Sequence, residues 1–257
     1  MEKPTPASTA PPMPMVAPQL APLGDAAWTV TWSGPPSAEQ HHRVMALVDR
    51  ITQAHQRGEL DAAREWAPAL TSVTLLFDPL HPSADALPEQ LMAWATESVL
   101  ARVPAKVWRL PVCFDADLAP DLPAVAEHAQ CDTQQVIQQL LATPLQVYML
   151  GFMPGFAYMG DLPAHLSPPR LSNPRTLVPA RSLALAAGMA AVYPWASPGG
   201  WRLVGRTPLA LFDLTVPGGP ALMGAGDRVH ITAISRDTFN TLEHEAPLDW
   251  AAWQVLP

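Results

Sequence analysis

Five arginines, Arg170, Arg175, Arg181, Arg202 and Arg206, lie between Gly151 and Ala210, and Asp161 is the only acid among them. That stretch carries +4 in a chain of net charge −8, so the remainder carries −12. Arginine presents a rigid fork of donors that matches carboxylate and phosphate oxygens. Phe152, Phe156, Tyr158, Tyr193, Trp195 and Trp201 are interleaved with them. Arginines between aromatic walls predict a cleft for a small anionic or amide ligand. The competing reading is that individual arginines only cap loops or stack on rings.

Other chemistries find little support. The chain lacks the P-loop pattern, the H-E-x-x-H zinc pattern and the G-x-S-x-G nucleophile elbow. His41 and His42 are adjacent, and neighbours on a helix point apart, so no metal site is expected. Lys3 and Lys106 are the only lysines, which disfavours Schiff-base chemistry. Cys113 and Cys131 form neither a metal nor a disulfide framework and read as reduced thiols of a cytoplasmic protein. The acidic balance argues against nucleic-acid partners, and no run of 18 apolar residues predicts a membrane span.

The chain that must position these groups has 257 residues, 49% hydrophobic and 15% charged. That composition suffices for a packed core. Its 31 prolines exclude a bundle of long helices, because each interior Pro costs about 3 kcal/mol. Residues 1–24 hold seven prolines and no compact apolar core, so they read as a disordered Pro/Ala tail rather than a signal peptide.

Alternation of Trp28, Val30 and Trp32 predicts a strand. Ser37, with Gln40 three residues on, predicts a capping box and a helix through Val44, Leu47, Val48 and Ile51, ended at Gly58. A short extended piece at 65–67, a strand at 72–77, a helix over 88–101 and a strand at 107–113 follow. This β-α-β-β-α-β order predicts a ferredoxin-like α/β domain over 25–106. By pattern alone, the strand at 107–113 either closes that unit or opens the next. Two short helices are expected near 121–130 and 133–142, the second capped by Asp132 and Gln135. Beyond Pro144 helices are expected to stop. Apolar stretches at 145–150, 183–186, 191–193, 202–204, 209–212 and 228–234 predict a β-barrel or sandwich, making the chain α+β overall, with the second domain over 107–257.

Three blocks are more specific together than alone: GFMPGFAYMGDLP (151–163), PRLSNPRTLVPARS (169–182) and YPWASPGGWRLVGRTPLALFD (193–213). In order and spacing they closely resemble the allophanate hydrolase subunit 1 family, which includes the B-type subunit of 5-oxoprolinase and a Kip-type histidine-kinase inhibitor. LPVCF (110–114), PDL (120–122) and GDRV (226–229) add to the resemblance, and RVMAL (43–47) and FDPL (77–80) agree more loosely.

The resemblance implies a ferredoxin-like domain followed by a cyclophilin-like β-barrel. It implies a larger homologous partner subunit and a third subunit that together open 5-oxoproline to glutamate at the expense of ATP. ATP would be shared with the partner, and no metal is implied. Arg170, Arg175, Tyr193, Ser197, Trp201 and Arg206 match the family and are expected to bind substrate. Leu140 stands where members carry a His, Arg181 where they carry a Gly, and Met189, Ala190 and Ala191 where they carry Gln, Thr and Gly. These departures motivate a second reading, a non-catalytic regulator of a sensor histidine kinase. Prolyl isomerisation is a third, resting on the barrel alone.

Overall fold

The computed structural model describes residues 17–34, 36–97, 106–216, 219–245 and 249–255. Two sheets organise them. The first contains β1 (Pro18–Pro22), β2 (Ala27–Trp32), β3 (Ala63–Pro68) and β4 (Ser72–Phe77), ordered β1-β2-β4-β3 and antiparallel throughout. Helices α1 (Ala38–Gln56) and α2 (Leu87–Thr96) cover one face. Val30, Trp32, Val73 and Leu75 from the sheet meet Val44, Leu47, Ile51 and Leu91 from the helices in one core.

Local chemistry sets the ends of α1. The Ser37 hydroxyl accepts from the Gln40 amide at 3.2 Å. The Gln40 side chain donates instead to the Ser33 carbonyl at 2.8 Å, so the expected capping box is only half formed. Gly58 leaves the helix at φ +69°, the left-handed position that favours glycine.

Two sequence expectations change here. Residues 18–22, read as tail, form β1; residues 1–16 lie outside the described set. Strand β5 (Val107–Val112) belongs to the second sheet, so β1 occupies the edge beside β2 that a closing strand of the first unit would take. The predicted end of α2, at 98–101, lies outside the described residues.

The second sheet has eight strands: β5, β6 (Leu145–Leu150), β7 (Ala157–Gly160), β9 (Ser182–Ala186), β10 (Met189–Val192), β12 (Arg202–Arg206), β13 (Arg228–Ala233) and β14 (Gln254–Val255). Their order is β12-β9-β10-β7-β6-β13-β5-β14. β13 and β5 run parallel, and every other pair is antiparallel. The sheet curls until its first strand meets the end of β5. Cys113 and Arg206 exchange backbone hydrogen bonds of 2.9 and 3.0 Å there. Among the described residues this single bridge is the whole of the pairing at that seam, so the expected barrel is a curled sheet that does not close.

Period-two alternation gives the sheet two apolar faces. Leu183, Leu185, Ala190 and Val192 point into the main core, with helices α3 (Leu122–His128) and α4 (Thr133–Ala142) packed on it through Val125, Val136 and Leu140. Ala184, Ala186, Ala191 and Tyr193 point the other way, into a smaller aromatic cluster with Phe156 and Trp201. A ribbon of β8 (Arg175–Val178) and β11 (Ser197–Gly199) reaches that cluster through Val178. Asp132 and Gln135 form the expected capping box on α4.

The 209–212 stretch is not a strand; Phe212 makes one bridge to Ala221. Helices do not stop after Pro144 either. Helix α5 (Arg236–His244) begins at Ser235, whose hydroxyl accepts from the Thr238 amide at 3.2 Å.

Candidate functional site

Asp121, at the start of α3, is 7% exposed. Its Oδ1 accepts from Arg175 Nη2 at 2.8 Å and its Oδ2 from the Leu203 amide at 2.7 Å. One carboxylate therefore ties α3 to β8 and β12. These elements surround a hollow of about 240 Å³ lined by Arg175, Arg206, Asp117, Ser182, Leu177 and Leu203, among others. Arg175 Nη1 is buried, closed off from solvent, without a hydrogen-bond partner.

Arg206 lines the same hollow. Its Nε donates to the Ala180 carbonyl at 2.9 Å, and its guanidinium lies 5.9 Å from the Phe239 ring centroid on α5. One turn along that helix, Glu243 Oε1 sits 3.6 Å from Arg206 Nη2 and 3.2 Å from Arg181 Nη2. Arg181 also donates to the Pro208 carbonyl at 2.8 Å. It occupies φ +66°, which explains physically why a glycine suits this position.

The six residues expected to bind substrate thus fall into three places. Arg175 and Arg206 share the hollow. Tyr193, Trp201 and Arg170 gather at the aromatic cluster, where the exposed Arg170 guanidinium lies 5.8 Å from the Trp201 ring centroid. Burial pushes the Tyr193 phenol above its ordinary range, opposed by a backbone hydrogen bond from Trp201 and the charge of Arg170. Ser197 sits on the ribbon, half-buried, with its hydroxyl 3.4 Å from the Pro198 carbonyl.

The positive stretch is largely compensated by acids from outside it. Asp121 neutralises Arg175, and Glu243 serves Arg181 and Arg206. No carboxylate among the described residues pairs with Arg170 or Arg202; the latter donates to the Pro169 carbonyl at 3.4 Å. Sequence reasoning did not select Asp121 or Glu243. PDL at 120–122 carried the signal for the first, and nothing in the composition of α5 marked the second. The GDRV aspartate is structural: Asp227 accepts from the Lys106 amide, the Trp108 indole and the Gly224 amide at 3.0, 2.8 and 2.8 Å.

The departures from the family pattern are also located. Leu140 is fully buried in the main core, and Ala190 packs there too. Met189 and Ala191 face the aromatic cluster. Ala187 and Gly188, at φ +48° and +80°, make the tight turn between β9 and β10, which needs positive φ at both positions. Among the described residues no group of three His, Cys, Asp or Glu could hold a metal ion, and no helix is long and apolar enough to cross a membrane.

The model of the carboxyltransferase domain, subdomains C and D, matches residues 18–223. The chain belongs to this family. Its carboxyltransferase-domain match takes in the whole first sheet, most of the second and every residue of the hollow. The resemblance drawn from the three loop blocks is thereby borne out. Among curated relatives, the chain is 31% identical to the B-type subunit of 5-oxoprolinase from Bacillus subtilis (strain 168), over 89% of its own length and 98% of the relative's. It is 33% identical to the corresponding 5-oxoprolinase subunit of Escherichia coli O157:H7, over 80% of this chain and 92% of that one. Among solved structures, TTHA0988 matches 81% of this carboxyltransferase-domain chain at 29% identity and a TM-score of 0.69. The chain spans only 40% of that longer protein.

Proposed function

We propose that this protein is a subunit of an ATP-dependent 5-oxoprolinase. The reaction consumes 5-oxo-L-proline, ATP and water and yields L-glutamate, ADP and phosphate. The observation that carries this reading is end-to-end similarity to curated relatives named as the B-type subunit of 5-oxoprolinase, covering 92–98% of the lengths of two of them. A relationship restricted to one domain supports only a shared fold. A match along nearly the whole length supports a shared place in an assembly.

In this reading the chain works with a larger homologous subunit and a third subunit in the cytoplasm, and ATP is shared with a partner. The first sheet with α1 and α2 is a ferredoxin-like unit whose last strand is replaced by β1, and the curled sheet is a cyclophilin-like barrel left open. A lactam carbonyl is a poor electrophile. Phosphorylating its oxygen activates it for attack by water, and arginine donors stabilise charge on the carbonyl or phosphoryl oxygens. Arg175 and Arg206, which share the hollow, are the donors of this chain assigned to that role.

Affinity purification of the full chain from its native host, with identification of what accompanies it, tests the assembly. Recovery of the larger homologous subunit is expected. Co-expression of the three subunits is expected to give 5-oxoproline-stimulated ATP hydrolysis. A verified three-part complex without it overturns the reading, and recovery of a histidine kinase instead supports a regulator.

A further inference from the structure

The loop between β6 and β7 holds Phe152 at φ +70°, a conformation that bulky residues rarely adopt. The Met153 amide donates to the Gly151 carbonyl at 2.8 Å, which makes a γ-turn of the strained, positive-φ kind. Two further bonds pin the loop. The Gly151 amide donates to the Phe156 carbonyl and the Phe156 amide to the Met153 carbonyl, each at 3.1 Å. The ring so fixed is nevertheless 64% exposed. The fold sustains strain there without burying the side chain, and such strain gathers at functional surfaces.

Phe152 is one corner of a wider aromatic face. Its ring stands edge-on to Phe156 with centroids 5.4 Å apart, and Phe156 lies 6.3 Å from Trp201. On its other side the loop rests against Phe212: a Cβ on Gly155 would come within 2.9 Å of Phe212 Cβ. The Phe212 ring in turn meets Trp195, which is 51% exposed, at 6.5 Å. Surfaces that dock other proteins concentrate rings of this kind together with arginine.

The cations stand at the Trp201 end. Arg170 lies over Trp201, and Arg202 reaches the carbonyl of the adjacent Pro169. Among the described residues neither meets a carboxylate; the nearby ion pairs go to Arg175, Arg181 and Arg206. An occupant therefore needs apolar groups to cover Phe152 and Trp195, and carboxylates to meet two arginines. Residues 1–16 of this chain bring no net charge, because Lys3 cancels Glu2. A second copy set face to face brings the same two arginines again. A longer companion is favoured by TTHA0988, of which this chain spans 40%, so that its counterpart there is joined to further polypeptide.

We propose that this aromatic face docks the larger homologous subunit, through an apolar segment of that subunit bordered by acidic side chains. The identity of the occupant rests on the functional reading above; the chemistry that the face demands does not.

The test titrates the purified full chain with the purified larger homologous subunit of the same host, by biolayer interferometry. Wild type is expected to bind, with affinity that falls as salt rises. Glycine suits the backbone angle at 152, so Phe152→Gly is expected to keep or raise the melting temperature while weakening the complex tenfold or more. Arg170→Glu is expected to weaken it to a similar degree and to flatten the salt dependence. Leu80→Ser, which removes an exposed apolar residue beyond β4, should bind as wild type does. Binding that Phe152→Gly and Arg170→Glu leave unaltered overturns the docking face and leaves the subunit reading intact. Absence of binding by wild type overturns both. A wild-type dimer in light scattering that Phe152→Gly dissociates gives the face to a second copy and overturns the proposal.

Discussion

His41 on α1 stands edge-on to Tyr148 on β6, with ring centroids 4.7 Å apart and planes at 78°. The contact joins the two sheet units. His41 is fully buried, and neither of its ring nitrogens has a hydrogen-bond partner. The Tyr148 hydroxyl is turned to Asp161 at 2.6 Å, and burial and that carboxylate together push the phenol upward. Four residues along α1, Met45 comes within ordinary contact distance of any Cβ placed on Gly226, so one face of α1 forms this joint.

The joint is expected to be sensitive to acid. Burial, aided by the charge of His42 and opposed by Asp161, lowers the His41 pKa from 6.5 to about 4. The folded state therefore resists a proton that the unfolded state accepts below 6.5. Above that pH His41 carries no protonation penalty, and stability falls as pH drops from 6.5 toward 4, by up to ~3 kcal/mol. Urea unfolding at pH 7.5 and pH 5 in wild type and His41→Leu measures it. The variant should lose most of the pH slope and, freed of two orphaned polar atoms, match or exceed wild type at pH 7.5. An equal slope in both proteins sinks the idea.

Glu243 and Arg181 form a second measurable pair. Glu243→Gln is expected to destabilise by ~1 kcal/mol, since both partners are mostly covered but not sealed from solvent. Arg181→Gly loses the ion pair but relieves a left-handed residue, so it should fall near zero in wild type. In the Glu243→Gln background it should stabilise by ~1 kcal/mol. A thermal-denaturation double-mutant cycle reads the difference, and strict additivity rules out the coupling.

Gly199 is expected to tolerate no side chain. A Cβ there lies 2.9 Å from Tyr193 Cζ and collides with the hydroxyl. Gly199→Ala should cost ~1–3 kcal/mol as Tyr193 is forced off its place, with a change in near-ultraviolet dichroism from the aromatic cluster. Partial relief in Gly199→Ala/Tyr193→Phe identifies the hydroxyl as part of the clash.

The capping box of α4 provides a clean local test. Asp132→Ala removes the acceptor that holds the Gln135 amide at 2.7 Å. A loss of ~1 kcal/mol is expected in chemical denaturation.

Sequence periodicity served well where one face was apolar and the ends were chemically marked. Strand 72–77, the helix from Ser37 to Gly58 and the Asp132–Gln135 box all lie where pattern placed them. β1 escaped because Pro18 and Pro22 argue against a strand, yet an edge strand tolerates missing donors. β7, β8 and β11 escaped because three or four residues are too few to display a period. α5 escaped because Phe239 is its one buried residue, so its apolar stripe is too thin to read. The site shows the same split. Arginine content was legible, and Arg175 with Arg206 do share a hollow, but charge counting along the chain could not reveal neutralisation by Asp121, 54 residues before Arg175, or by Glu243. Pairings across folded distance leave no local pattern.

The bridge between Cys113 and Arg206 gives the molecule a built-in reporter. Burial raises the Cys113 thiol's pKa, which keeps it protonated and unreactive while the seam is shut. A thiol reagent then labels Cys131, half-buried just past the end of α3, early, and is expected to reach Cys113 only as often as that two-bond seam parts. Because the same Arg206 whose backbone shuts the seam also walls the hollow, the slow labelling phase becomes a stopwatch for whatever settles beside it.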